Sequence, residues 1–376
     1  MGSNTIHLSK FSLTQNIKTF VQLLEGKSKF VAVVKSNAYG HGMREIVQIT
    51  EESGMVSIYA VNSWEEYSDL RKLISKDKPI IIMGELDDPE LRASQMKDEN
   101  LWIVLSTLQN AKLYSNAVIP PKIHLKIDTG MSRLGASLEN LPELLRNWKK
   151  ENLPLDGLCS HFASTEDVTE HSYSKKQLQK FEEAESIVRD FGFHNFISHI
   201  SASASTLLFP EARKDLVRIG ISLYGFWPSM ETKLSYPSHF PEIKLEPVLS
   251  WKSRIGLIRN IPAGTFVGYG CTYRTPYPTK LAVVPVGYYE GLDRRISNNG
   301  YLLVKGSRAK ILGRVCMNMC MIDITHIDGV SEGDEVVLIG RSGEEILKAE
   351  QLAEWSNTIQ YEVTTRIGSH LERTID

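Results

Sequence analysis

The chain reads as an α/β protein, a (β/α)8 barrel of the TIM type followed by a mostly β C-terminal domain. Three observations point there. Roughly the first two-thirds alternates short apolar runs with amphipathic segments, the signature of a parallel sheet. The apolar runs number about eight, as a closed barrel requires. After about Tyr236 the texture changes to strand-like runs with little helix between them.

The barrel strands are expected at residues 30–35, 56–61, 79–83, 101–105, 122–127, 155–160, 196–200 and 216–219. They are rich in Val, Ile and Leu, as strands covered on both faces are. The clearest helix covers 174–191, where Leu178, Phe181, Ala184, Val188 and Phe191 share one face and Lys and Glu the other. A strand at 5–8 and a helix at 13–24 precede the barrel, and no local signal says where that first strand pairs. The cluster Tyr236-Pro237-Ser238-His239-Phe240-Pro241 marks a boundary. The domains are therefore expected at 1–240 and 241–376, with the first strand free to pair outside the barrel. The second domain should hold strands at 250–258, 280–286, 301–304, 319–324 and 335–339 and a short helix at 347–355.

Composition removes several functional classes. The 376 residues carry a formal net charge of -2, with 42% hydrophobic and 23% charged residues. That balance gives no support for nucleic-acid or membrane-surface partners. No apolar run is long enough to cross a bilayer, and the N-terminus lacks the apolar core of a signal peptide. Cys159, Cys271, Cys316 and Cys320 are too few for a disulfide framework and lack the partners of a metal site. A reducing, cytoplasmic compartment fits, with no metal expected.

Chemistry concentrates at strand ends, where barrel active sites lie. Lys35 ends the first barrel strand and Lys126 the fifth. His161 ends the sixth, His199 sits in the seventh and Arg218 in the eighth. A lysine after a Val-Ala strand stands in apolar surroundings, which lower its pKa and favour the neutral, nucleophilic amine that forms an imine with a carbonyl. Ser201, Ser203 and Ser205 follow the seventh strand and Gly220-Ile221 the eighth, where barrels often bind phosphate. A carbonyl trap beside an anion cradle suggests pyridoxal 5'-phosphate (PLP).

Several blocks then resemble the alanine racemase family in order and along nearly the whole chain. They are Lys35-Ser36-Asn37-Ala38-Tyr39-Gly40-His41-Gly42, the run from His124 to Gly135, Ser160-His161-Phe162-Ala163, and Arg218-Ile219-Gly220-Ile221-Ser222-Leu223-Tyr224-Gly225. The β domain adds Gly268-Tyr269-Gly270-Cys271-Thr272-Tyr273, Val286-Gly287-Tyr288 and Gly313-Arg314-Val315-Cys316-Met317. The resemblance implies PLP-dependent racemisation of L- and D-alanine in a homodimer, serving D-alanine supply for peptidoglycan. Lys35 would hold the cofactor and act as one acid/base, with Tyr269 of the second subunit as the opposing one. Tyr39, Ser203, Gly220 and Ile221 would hold the phosphate, and Arg218 would face the pyridine nitrogen. Arg133 would bind the cofactor's phenolic oxygen and the substrate carboxylate, Lys126 would be carbamylated to position Arg133, and His161 would link Tyr269 to Arg218. Met317 would contact substrate, while Tyr288, Arg294 and Arg314 would line the entry.

Racemisation removes a proton from one face of the α-carbon and returns one to the other, so two bases must oppose each other. Tyr269 distinguishes this reading from a non-enzymatic PLP carrier, which lacks such a domain, and from a PLP decarboxylase of related fold, which opposes a cysteine. Ala202 stands where the family has Asn, Asn318 where it has Asp, and Ser369 where some members have Tyr. These departures leave serine, or several small amino acids, open as substrates.

Overall fold

The computed structural model describes residues 4–165, 171–236 and 242–376. The Pro- and Ser-rich stretch 237–241, expected to mark the domain boundary, lies outside the described residues. The chain divides into two compact units. One holds Phe11–Ser36 and Ile46–Glu246. The other holds the chain up to Lys10, residues 37–45 and Pro247–Asp376.

Strand β1 (Thr5–Leu8) comes first in the chain. The barrel unit then contributes β2 (Lys29–Val33), β3 (Ile58–Val61), β4 (Ile80–Ile82), β5 (Leu101–Leu105), β6 (Lys122–Lys126), β7 (Gly157–Cys159), β8 (Ile197–His199) and β9 (Leu216–Ile219). These eight form one parallel sheet in the order β8-β7-β6-β5-β4-β3-β2-β9. The remaining seam, between β8 and β9, is narrowed by a backbone bond from Arg218 N–H to Ser201 O at 3.1 Å. Almost every strand residue is buried, which explains the unbroken apolar runs. Helix Ser172–Asp190 buries Leu178, Phe181, Ala184 and Val188, as the periodicity required. Thr107 and Ser63 cap their helices by accepting from Asn110 N–H and Glu66 N–H.

The second unit is built from β10 (Leu249–Arg254), β11 (Leu257–Ile261), β12 (Phe266–Val267), β13 (Tyr273–Arg274), β14 (Thr279–Val284), β15 (Tyr301–Val304), β16 (Ser307–Lys310), β17 (Cys320–Asp323), β18 (Glu335–Ser342), β19 (Glu345–Leu347) and β20 (Glu372–Ile375). Its main sheet runs β16-β15-β18-β10-β1-β20, with β19 on β18. The first strand of the chain thus pairs antiparallel with β10 and parallel with the last strand. The run expected as one strand over 250–258 is two, broken at Ile255-Gly256. Strands β10 and β11 enter different sheets, because β11 pairs β14 rather than β18.

Residues 37–45 belong to this unit, and Gly40 shows how tightly they fit. Its φ is +82°, and a Cβ there would lie 1.9 Å from Thr364 O in helix Gln360–Thr365. Gly40→Ala therefore combines a backbone conformation unsuited to alanine with a collision against main chain. It is expected to destabilise the protein by about 2 kcal/mol or more. Thermal unfolding checks this, and an unchanged midpoint would show that the contact can relax freely.

Candidate active site

Lys35 stands two residues beyond β2, not at its end. It opens a helical turn, Lys35–Tyr39, that is left-handed: Ser36, Asn37, Ala38 and Tyr39 all have φ of 53–54°. Such a conformation costs on the order of 1–2 kcal/mol per non-glycine residue. Local bonds offset it. Glu66 accepts from Ser36 N–H at 2.6 Å and from Asn62 N–H at 2.7 Å. Asn37 Oδ1 accepts from Met43 N–H at 2.8 Å, and Asn37 O from Gly42 N–H at 2.9 Å. Burial lowers the Lys35 pKa, helped by the charges of Arg133 and Arg218 against the opposing pull of Glu66.

Arg218, in β9, is 5% exposed. Its Nη1 donates to His199 Nδ1 at 2.5 Å and to His199 O at 3.2 Å. Its Nη2 donates to Ser160 O at 2.8 Å, Ile200 O at 2.9 Å and His161 Nδ1 at 3.3 Å. Every one of these acceptors is neutral. Nε has no partner among the described residues. The two imidazoles are held well below their ordinary pKa by burial first and by the Arg218 charge second.

Lys126 ends β6. Burial lowers its pKa, and Arg218 and Arg133 add to that. Among the described residues no carboxylate forms an ion pair with it. Arg133 follows in a loop clamped by Asp128, whose Oδ1 accepts from Gly130, Met131 and Ser132 N–H at 2.9, 2.9 and 3.1 Å. Gly135 closes the loop, since a Cβ there would lie 2.4 Å from Asp128 N. Lys126, Arg133, Ser160 and His161 line one small hollow.

Of the three serines after β8, Ser201 donates to Ala212 O and Ser205 accepts from Ala202 N–H. Both are occupied structurally, and Ser205 compensates for the side-chain cap that Ala202 cannot offer. Ser203 differs: its hydroxyl accepts from Gly220 N–H at 3.1 Å and lies 3.5 Å from Ser222 N. Ser203, Gly220 and Ile221 thus gather in one buried corner at the ends of β8 and β9.

In the other unit, Tyr269 lies on a tight turn, Tyr269–Cys271, between the paired β12 and β13. Its side chain is 69% exposed. Gly268 and Gly270 have φ of +72° and +73°, and a Cβ on Gly270 would lie 2.9 Å from Arg314 Nη1. Tyr288 and Met317 are also exposed and sit on loops joined by Tyr288 N–H to Cys316 O and Tyr289 N–H to Met317 O. Arg294 is exposed on a short 3-10 turn. Tyr39 packs near Tyr361, ring centroids 6.2 Å apart, and burial raises its pKa to about 12.

Asn318, one of the family departures, donates from Nδ2 to Glu290 Oε1 at 3.0 Å, while Glu290 Oε2 accepts from Gly287 N–H at 2.7 Å. Glu290 is 7% exposed. An aspartate at 318 would set two carboxylates against each other, so this asparagine matches its neighbour. Ser369 is exposed and accepts at its carbonyl from Arg373.

Two family descriptions match the chain: "Alanine racemase, N-terminal domain" over residues 8–228 and "Alanine racemase, C-terminal domain" over 248–375. The chain belongs to the alanine racemase family. An alanine racemase of Leptospira interrogans (serovar copenhageni) is 50% identical over 374 residues, covering 99% of this chain and 96% of that relative. One from Methanococcus maripaludis is 33% identical over 369 residues, covering 96% and 95%. Among solved structures, alanine racemase from Bacillus anthracis with bound L-Ala-P superposes with a TM-score of 0.89 at 31% identity, covering 100% of this chain and 95% of that one. The eight-stranded barrel followed by a mostly β region is the architecture of that family, and the chain is an isomerase acting on alanine. No described helix is long and apolar enough to cross a membrane.

Sequence reading passed over His124, Glu66 and Glu290. His124 lies inside a quoted motif, but nothing local reveals that it contacts His199, 75 residues away.

The buried histidines make stability depend on pH. Burial lowers His41 to about 4 and His124 to about 3, and lowers His161 and His199 as well. The unfolded chain protonates these groups near pH ~6.5 while the folded chain does not. Unfolding therefore takes up protons below that pH, and stability falls as the medium is acidified. Each histidine contributes up to about 1.4 kcal/mol per pH unit until its folded pKa is reached. Calorimetric melting between pH 7.5 and 5.5 should show the midpoint dropping with more than one proton taken up. A flat profile would contradict neutral, buried imidazoles.

Proposed function

We propose that the chain interconverts L- and D-alanine by a two-base mechanism, with Lys35 and Tyr269 exchanging the α-proton on opposite faces of a substrate held at pyridoxal 5'-phosphate. The observation that carries this reading is the presence at one barrel mouth of a Lys35 amine whose pKa is lowered and a buried Arg218 guanidinium whose two Nη atoms are already engaged.

The residues fit that cofactor. Lys35 offers an amine whose pKa is lowered, Ser203 with Gly220 and Ile221 offers hydroxyl and backbone donors for a phosphate, and Tyr39 adds a phenol. When bound, the cofactor supplies an electron sink for the charge left on the α-carbon. Arg218 would face the ring nitrogen of that cofactor; a guanidinium donates and cannot accept, so it would keep that nitrogen unprotonated. A sink weakened in this way would favour reprotonation over transamination.

Arg133 holds the substrate carboxylate, on a loop that Asp128 fixes. Lys126 positions Arg133 once carbamylated. Its neutral amine adds to CO2, an N–C bond forms and the amine's proton goes to solvent, replacing a cation by an anion that pairs with Arg133. His161 accepts from Arg218 at Nδ1, so its proton is on Nε2, ready to donate to the Tyr269 phenolate. Met317, Tyr288, Arg294 and Arg314 shape the approach of substrate. The 69% exposure of Tyr269 in the single chain suits donation across a homodimer in the cytoplasm.

A racemisation assay with PLP tests the reading against L-alanine and L-serine. Alanine should be the better substrate. Lys35→Ala should abolish both activity and absorbance near ~420 nm. Tyr269→Phe should keep the absorbance and lose ~10²–10⁴ in kcat. Mixing the two variants should restore about a quarter of the sites, because half the dimers then hold one intact pair. Full activity in Tyr269→Phe would overturn the two-base assignment, and no recovery on mixing would overturn donation across the dimer.

A further inference from the structure

We propose that His199 and His124 form a proton-directed strut that holds the Arg218 guanidinium in register, which makes His124 a positioning residue for racemisation although it lies two hydrogen bonds from Arg218. The inference rests on the reading of Arg218 as the group that faces the cofactor.

The direction of the strut follows from donor chemistry. A guanidinium has only N–H donors, so His199 Nδ1, 2.5 Å from Arg218 Nη1, carries a lone pair. The single proton of the neutral His199 ring is then on Nε2. That atom lies 2.9 Å from His124 Nδ1, which accepts it. His124 in turn carries its proton on Nε2. Any other tautomer sets two donors or two lone pairs against each other. A protonated His199 would put two cations in one hydrogen bond. The charged and titratable groups facing these rings all oppose protonation or are neutral: Arg218, Lys126 and each other for His199, Lys122 and Arg218 for His124.

Two features show that the far end is built for this ring. Gly157, the neighbour of His124 in the sheet, lacks the Cβ that would lie 2.3 Å from His124 Nδ1. Trp102 stacks on the other side, ring centroids 5.0 Å apart at 28°. His124 is fully buried, and its Nε2 has no hydrogen-bond partner among the described residues. A buried polar group left half-satisfied is costly. It is expected where its other nitrogen has work to do.

The consequence concerns the opposite arm of Arg218. Nη1 is tied to His199 and Nη2 reaches His161 Nδ1 at 3.3 Å. Both arms belong to one rigid plane. If His199 lost its acceptor at His124, its proton could move to Nδ1, where it would confront Nη1. The guanidinium would turn, taking its Nε–H away from the cofactor and its Nη2 away from His161.

The test uses the holoenzyme. In protein labelled with ¹⁵N-histidine, both His124 and His199 should show bare Nδ1 and protonated Nε2, unchanged from pH 6 to 8. A proton on Nδ1 of either ring, or a titration, overturns the strut whatever Arg218 does. Two variants test the consequence. His124→Phe keeps the ring against Trp102 but removes the acceptor, and should lower kcat ~10-fold or more with KM within ~3-fold. It should also shift the cofactor absorbance and move the His199 proton. His124→Asn restores an acceptor near the Nδ1 position and should return kcat to within ~3-fold of the parent. Equal loss in both variants, or no loss in His124→Phe, refutes the positioning role. If His124→Phe does not fold, the labelled parent protein still decides. An inactive parent protein with the expected tautomers would fault the reading of Arg218 and leave the strut standing.

Discussion

Arg218 is a buried cation that no carboxylate among the described residues answers. Most buried arginines are paired, because an isolated charge out of water costs several kcal/mol. Here three backbone carbonyls and two neutral imidazoles take its place. They come from the strand ends on the far side of the seam between β8 and β9, so the side chain helps join the two strands that share no ladder. The same arrangement sets the electrostatics of the barrel mouth. Burial first, and the charge of Arg218 after it, keeps the surrounding histidines neutral, and burial with the charges of Arg133 and Arg218 lowers the amines of Lys35 and Lys126.

The left-handed turn is the second constraint. Four successive non-glycine residues at φ near 54° hold Lys35 at the head of a strained segment. Glu66 fixes the start of that segment and Asn37 its exit. Strain maintained by several independent bonds is a common mark of functional sites. Here it turns the chain sharply just beyond β2, so that the lysine stays at the strand mouth while the residues after it leave the barrel unit.

Much of this was legible because burial writes itself into sequence. Parallel strands covered on both faces appear as runs such as Ile80-Ile81-Ile82, and helix Ser172–Asp190 repeats its apolar face at helical spacing. The strand-end lysines and Arg218 stood out as charges in apolar context. Other features left no local trace. The Lys35–Tyr39 turn contains no glycine to betray its positive φ. β16, with one buried residue in four, carries no strand-like pattern. The pairing of β1 with β20 joins opposite ends of the chain. The contact of His124 with His199 depends on register carried through β7, and the match of Asn318 to Glu290 on how two loops meet. Such information exists only once the sheets have formed.

The central claim is that burial, together with the nearby charges of Arg133 and Arg218 and against the pull of Glu66, keeps the Lys35 amine ready to react. The most direct measurement is an NMR titration of Lys35 in the full-length, cofactor-free protein after ¹³C-methylation of its lysines. The account predicts that Lys35 titrates below the exposed lysines of the same chain, and that Arg133→Leu moves it part of the way back. A Lys35 that titrates together with the exposed lysines would contradict it.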